Sequence, residues 1–207
     1  MINKINIFVI PFTFVALISY CSKSEDYILK AENWLNTLNT MKADFVQISS
    51  DGRIAEGKLY IKKGKGFRFE YSPPSNLLIV GRQNIVIVQD IKNKTSTNYP
   101  LFNNPLAKFL SDNVNLNQKG YVTSSHNMNG ILKISIKSNK EQEGLLELEF
   151  SNKPFQLRKW KIIDKIGTEV NVTLQNHTFG VDLPNKTFRG FAFPANNWWN
   201  LNLYYSF

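Results

Sequence analysis

Cysteine occurs once and histidine twice in a chain of 207 residues. A single thiol can form no disulfide within the chain, and if processing follows Cys21 the mature protein holds no thiol at all. Thiol catalysis and zinc–thiolate sites are then excluded. His126 and His177 lie in polar stretches with no partner at metal-ligand spacing. No glycine-rich phosphate loop and no G-x-S-x-G nucleophile elbow occurs. Glu141-Gln142-Glu143 and Glu147-x-Glu149 read as a solvated strand face more than as a paired acid and base. The expectation is a protein without metal or cofactor that is not an enzyme.

Acidic residues are the scarcer charge, 16 against 25 lysines and arginines, for a formal net charge of +9 and a pI near 9.5. Such a balance suits nucleic acid, an anionic membrane surface or an acidic partner. The basic residues are scattered, however, and neither zinc-finger spacing nor an RRM-like signature is present, so nucleic acid is not expected.

Long hydrophobic runs are also missing but for one. From Ile5 to Ile18 the chain is mostly apolar behind a single positive charge at Lys4, and Pro11 interrupts the run. That is short for a membrane-spanning helix and fits a secretory signal peptide over residues 1–21. Ser19 and Cys21 place small residues at the two positions that matter for a cut before Ser22, leaving one domain over 22–207. The alternative makes Cys21 a lipidated first residue, because Ile18-Ser19-Tyr20-Cys21 faintly resembles a lipoprotein box; Tyr20 is bulky where that box wants a small side chain.

What is there begins with a helix. Tyr27, Ala31, Trp34, Leu35, Leu38 and Met41 recur at three and four from Ser24 to about Lys42, with Ser24 as N-cap and Glu25 and Asp26 in the first turn. Strand patterns follow at 43–50, 53–62, 67–72, 77–80, 85–90 and 94–99, split by turn residues such as Asp51-Gly52 and Gly64-Lys65-Gly66. Asn104-Pro105 opens a short helix to about Asp112, with Leu106, Phe109 and Leu110 on one side. Strands resume at 120–125, 131–137, 145–150, 156–164, 168–176 and 187–193, and Asn129-Gly130 is the strongest hairpin signal. So many short antiparallel strands must curl into a barrel or half-barrel or fold into a sandwich.

Aromatic residues make up 13% of the chain, and many alternate with polar ones. In the hairpin from Gly57 to Pro74, Leu59 and Ile61 on one arm and Phe67, Phe69 and Tyr71 on the other share a face. Periodicity leaves two readings open for these residues and Phe45: the core of a filled barrel, or the wall of a lipid cavity.

The order of motifs carries a resemblance. Phe45-Val46-Gln47, then Gly57-x-Leu59-Tyr60-Ile61-Lys62-Lys63, then Phe67-Arg68-Phe69-Glu70-Tyr71-x-x-Pro74, then the run from Asn84 to Asp90, then Asn104-Pro105-Leu106 resembles the LolA family of periplasmic lipoprotein carriers. It extends from about residue 25 to 175 and is strongest over 43–110. The resemblance implies a mainly β fold, an incomplete, half-open antiparallel β-barrel of about 11–12 strands closed by helices as a lid over an apolar cavity. It further implies a monomer in the periplasm that takes the acyl chains of lipoproteins from a LolCDE-type inner-membrane ABC transporter. Delivery would be to a LolB-type acceptor or to the outer membrane itself.

On that resemblance the cavity is lined by Phe45, Leu59, Ile61, Phe67, Phe69, Tyr71 and Leu78, with Leu106, Phe109 and Leu110 from the lid. The family's lid-locking arginine corresponds to Lys63, a departure that trades a planar fork for a point charge. The tail over 195–207 is atypical: Trp199, Leu201, Leu203, Tyr205 and Phe207 alternate up to the last residue. Two alternatives follow, a lipid-anchored LolB-like acceptor resting on Cys21 and a small outer-membrane β-barrel resting on that tail.

Overall fold

Side chains that alternate between buried and exposed at a period of two force much of this chain into strands with one face covered. The computed structural model describes residues 16–82, 84–100, 113–116, 122–137, 144–164 and 166–193. A helix, α1 (Ala16–Thr37), precedes eleven strands: β1 (Thr40–Ser49), β2 (Ile54–Lys62), β3 (Gly66–Tyr71), β4 (Leu77–Arg82), β5 (Ile85–Asp90), β6 (Thr95–Pro100), β7 (Val122–Met128), β8 (Ile131–Lys137), β9 (Leu145–Asn152), β10 (Phe155–Ile163) and β11 (Glu169–Phe179). A 3₁₀ turn, Asn185–Phe188, follows among the described residues.

All eleven strands form one sheet in the order β6-β5-β4-β3-β2-β1-β11-β10-β9-β8-β7. Every pairing is antiparallel. The chain therefore meanders in two runs that are joined where β1 lies beside β11. Among the described residues β6 and β7 remain unpaired edges, so the sheet is not closed. The Asn129-Gly130 turn between β7 and β8 has positive φ at both residues, 54° and 79°, as a tight hairpin requires.

Three expectations are corrected. The helix spans Ala16 to Thr37 rather than Ser24 to Lys42, so Ser24 lies inside it and is no N-cap. Met41 fits the helical stripe by spacing but belongs to β1, where Met41, Ala43 and Phe45 are buried at a period of two. The segment 187–193 is not a strand; it begins in the 3₁₀ turn and then runs extended across other strands. The helix expected from Pro105 to Asp112 and the tail over 195–207 lie outside the described residues. Among those residues no helix is long and apolar enough to cross a membrane.

The sheet has two unlike faces. One holds the large core, a single cluster that joins Ala31 and Leu35 of α1 to Phe45, Leu59, Phe67, Leu148, Phe150, Trp160 and Leu174 from both runs. The other carries a small cluster of Leu78, Val80, Leu183 and Phe188 over β2–β5, and elsewhere cross-strand ion pairs. Lys133–Glu149 and Lys161–Glu147 both stand at 3.0 Å between register partners, so Glu147 and Glu149 are a charged strand face.

Candidate functional site

The apolar face is built by strands that each contribute alternate residues, and its densest part is aromatic. Phe45 on β1 meets Phe69 on β3 edge to face at 5.2 Å between ring centroids and Tyr71 at 5.0 Å. Phe69 continues to Phe67 at 5.8 Å and to Trp160 on β10 at 6.0 Å. These are the separations at which aromatic quadrupoles attract. Gly57, the register partner of both Phe45 and Tyr71, makes the cluster fit: a Cβ there would stand 2.9 Å from the Phe45 ring and 2.0 Å from the Glu70 carbonyl oxygen.

Of the residues expected to line a cavity, Phe45, Leu59, Ile61, Phe67 and Phe69 are brought together and buried, with Tyr71 packed against them. The Tyr71 hydroxyl donates to Gln47 Oε1 at 2.7 Å, and burial pushes the phenol up to about 12, so it stays neutral and polar-satisfied in an apolar wall. Leu78 is placed elsewhere. Its register partner is Glu70, whereas Ile79 pairs with Phe69, so Leu78 points to the opposite face and packs with Val80, Leu183 and Phe188. The one-residue offset arises because the run from Leu77 to Val80 is apolar on both faces and offers no period to read. Leu106, Phe109 and Leu110 lie outside the described residues.

Lys63 follows β2 directly and reaches α1. Its Nζ donates to the Leu35 carbonyl oxygen and, at 3.1 Å, to Asn36 Oδ1, while its backbone N–H donates to the Asn39 carbonyl at 2.9 Å. Leu35 lies in the last turn of α1, where carbonyls lack helical partners and the helix dipole favours a cation. Asn36 extends this contact. Its Nδ2 donates to Val114 O at 2.8 Å and its Oδ1 accepts from Val114 N at 2.9 Å, and Glu32 one turn earlier accepts from Leu116 N at 2.7 Å. Thus α1 is held from one side by the β2–β3 hairpin and itself holds the segment 113–116.

Cationic side chains on the other face of the hairpin bind backbone carbonyls. Lys62 Nζ donates to Leu183 O at 2.7 Å, and Arg68 Nη1 donates to Thr187 O at 3.3 Å and Arg189 O at 3.0 Å. Gln89 on β5 exchanges two bonds with the Phe191 backbone, at 2.9 and 2.7 Å. Residues 181–193 are thereby strapped across β2–β5 on the face away from α1, with Leu183 and Phe188 as apolar anchors. His177 Nε2 donates to Leu157 O at 2.9 Å, and partial burial lowers its pKa. Among the described residues no three His, Cys, Asp or Glu side chains gather as metal ligands.

Sequence reasoning missed Asn36, Glu32, Lys62, Arg68 and Gln89. Only the first pair left a trace, two polar residues at i and i+4 flanking the apolar stripe of α1. It also took every wall residue from the first half of the chain, although Phe150, Trp160 and Leu174 complete the face from the second.

The family model described as "Outer membrane lipoprotein carrier protein LolA" matches residues 36–190. An uncharacterized protein of Rickettsia prowazekii (strain Madrid E), RP864, is 28% identical over 158 residues, 73% of this chain and 74% of that one. An uncharacterized conserved protein from Thermus thermophilus has a similar structure, with TM-score 0.50 and 12% identity over 81% of this chain and 94% of that one. A LolA superfamily protein from Nitrosomonas europaea, NE2245, aligns with TM-score 0.47 and 9% identity over 81% and 98%.

Proposed function

The chain belongs to the LolA family, and from that membership we propose that it is a periplasmic carrier of lipoproteins. It receives their acyl chains as they leave the inner membrane and releases them at the outer membrane. The observation that carries this reading is the aromatic face of Phe45, Phe67, Phe69, Tyr71 and Trp160, which shares one core with a helix whose last turn accepts hydrogen bonds from Lys63.

Each buried methylene is worth about 0.8 kcal/mol, so several acyl chains cannot cross an aqueous compartment bare. Exchange between one apolar surface and another is nearly balanced, and terms of about 1–3 kcal/mol, such as a charged hydrogen bond at a helix end, then set whether cargo is held or released. Lys63 is such a term. Opening the face means moving α1, which breaks the Lys63 contacts and draws on Asn36 and Val114 with them. A leader over residues 1–21 would deliver the chain to this compartment. A LolCDE-type donor and a LolB-type acceptor are the partners that the family implies. The outer-membrane barrel reading has less to support it: the sheet face away from α1 carries Lys–Glu pairs and a strap, where a lipid-facing wall is apolar.

The test is displacement of a fluorescent fatty acid from the purified protein. An acylated lipoprotein should displace the probe and its unacylated form should not. A protein that binds neither probe nor lipoprotein is not a carrier.

A further inference from the structure

The strap leaves an open pocket of about 450 Å³ on the face away from α1, lined by Arg82, Ile87, Gln89, Ser96, Asn98, Arg189, Gly190 and Phe191. Its walls come from distant parts of the chain. Arg82 ends β4, Ser96 and Asn98 are register partners of Gln89 and Ile87, and Arg189 arrives only because the strap crosses back over the sheet. Three features fix the strap there. Arg68 holds the Arg189 carbonyl, buried Gln89 holds the Phe191 backbone on both sides, and Gly190 lies so close that a Cβ would sit 2.8 Å from Gln89 Oε1.

Among the described residues no carboxylate lines this pocket, and the ion pairs formed by those residues include neither Arg82 nor Arg189. The neighbouring acid, Glu70, is taken by Arg68 at 2.6 Å. Two arginines thus line one pocket together with Asn98 and Ser96, and Phe191 and Ile87 add apolar lining. Arginine forks supply several donors in a plane and suit anions with more than one oxygen to offer. A pocket of this volume is roomier than a bare phosphate needs and lies within the range of small-molecule sites.

We propose that this pocket binds a phosphoryl group through Arg82 and Arg189, either free or carried on a phospholipid headgroup. It stands apart from the aromatic face and does not depend on the carrier reading. Should the source be a headgroup, the strap face would meet an anionic membrane while the opposite face keeps its apolar contents.

The experiment titrates the full chain with inorganic phosphate and with glycerophosphoglycerol at low ionic strength, followed by NMR shifts of the Gly190 and Asn98 amides, and measures co-sedimentation with phosphatidylglycerol and phosphatidylcholine vesicles. The variant Arg82→Gln/Arg189→Gln is compared with Lys65→Gln/Lys153→Gln, which removes the same charge from exposed turns. Saturable shifts that the arginine variant weakens at least ten-fold, and the lysine variant leaves within two-fold, support the site. Asn98→Asp, which adds a negative charge to the pocket, should abolish them too. Vesicle binding lost in the arginine variant alone assigns the headgroup as source, and phosphate binding without vesicle binding assigns the free anion. Absence of saturable shifts, or equal weakening in both double variants, overturns the proposal.

Discussion

Lys63 Nζ stands 3.1 Å from Asn36 Oδ1, and through that amide the β2–β3 hairpin is joined to α1 and to Val114. Three separate parts of the chain meet at one side chain. Removing the cation should loosen α1 without unfolding the sheet, since the aromatic face beneath owes nothing to the charge. Lys63→Ala should destabilise the protein by about 1–2 kcal/mol. If the lost contact is broken on the way to opening, release of a bound fluorescent fatty acid should quicken roughly ten-fold by stopped flow. Lys63→Arg replaces one ammonium shared by the Leu35 carbonyl and Asn36 Oδ1 with a planar fork that gives each its own N–H, and should slow release. Unchanged release in both variants removes Lys63 from the mechanism.

Asn36 is separable from Lys63 by choice of substitution. Asn36→Asp keeps the acceptor for Lys63 and for Val114 N–H but loses the donor to Val114 O. Asn36→Ala loses all three bonds. Hydrogen exchange of the Val114 amide should therefore remain slow in the aspartate variant and accelerate in the alanine variant. Combining Asn36→Ala with Lys63→Ala should cost less than the sum of the two, because they share one contact.

How much of this arrangement could be read from the sequence depended on whether local pattern or long-range geometry decides the residue. Leu59, Ile61, Phe67 and Phe69 alternate strictly, so their common face was legible, and the Asn129-Gly130 hairpin announced itself by its φ preference. Leu78 failed because its neighbours are apolar on both sides. Met41 failed because a residue that continues the helix stripe by spacing can equally begin a strand, and only its pairing with Ile61 and Phe179 decides. The strap was not legible at all. Lys62 and Arg68 look like any solvated lysine and arginine until residues 121 positions away return to them.

The strap yields its own expectation. Phe188 is 3% exposed and anchors the segment between Lys62 and Gln89 contacts. Phe188→Ala should cost about 3–5 kcal/mol locally, which exceeds what the remaining side-chain bonds can hold. Limited proteolysis should then cut within residues 181–193 well before the sheet, whereas cleavage at the wild-type rate would show that the strap is fixed by other means.

Acid should weaken the protein through His177. Its folded pKa lies below the ordinary value of 6.5, with burial as the largest cause, so the unfolded chain binds the proton first. Stability is present above the unfolded value and falls as pH drops below it. The depressed carboxylates Asp51, Asp90 and Asp164 act only in more acidic solution, being lowered from 3.8. Urea midpoints between pH 7.5 and 5.5 should decline in the wild type and decline less in His177→Gln; parallel curves would contradict this assignment.

A carrier of this fold must hold its cargo on one face of the sheet. Phe69 on β3 and Tyr60 on β2 are aromatic residues of adjacent strands that pack on opposite faces, the first with Phe45 and Trp160 and the second with the Leu78 cluster. A benzophenone amino acid at each position, irradiated with an acylated lipoprotein bound, compares the two directly. The prediction is a lipoprotein adduct at Phe69, lost when the lipoprotein lacks its acyl chains, and no adduct at Tyr60. Adduct at Tyr60 with none at Phe69 would contradict the central claim.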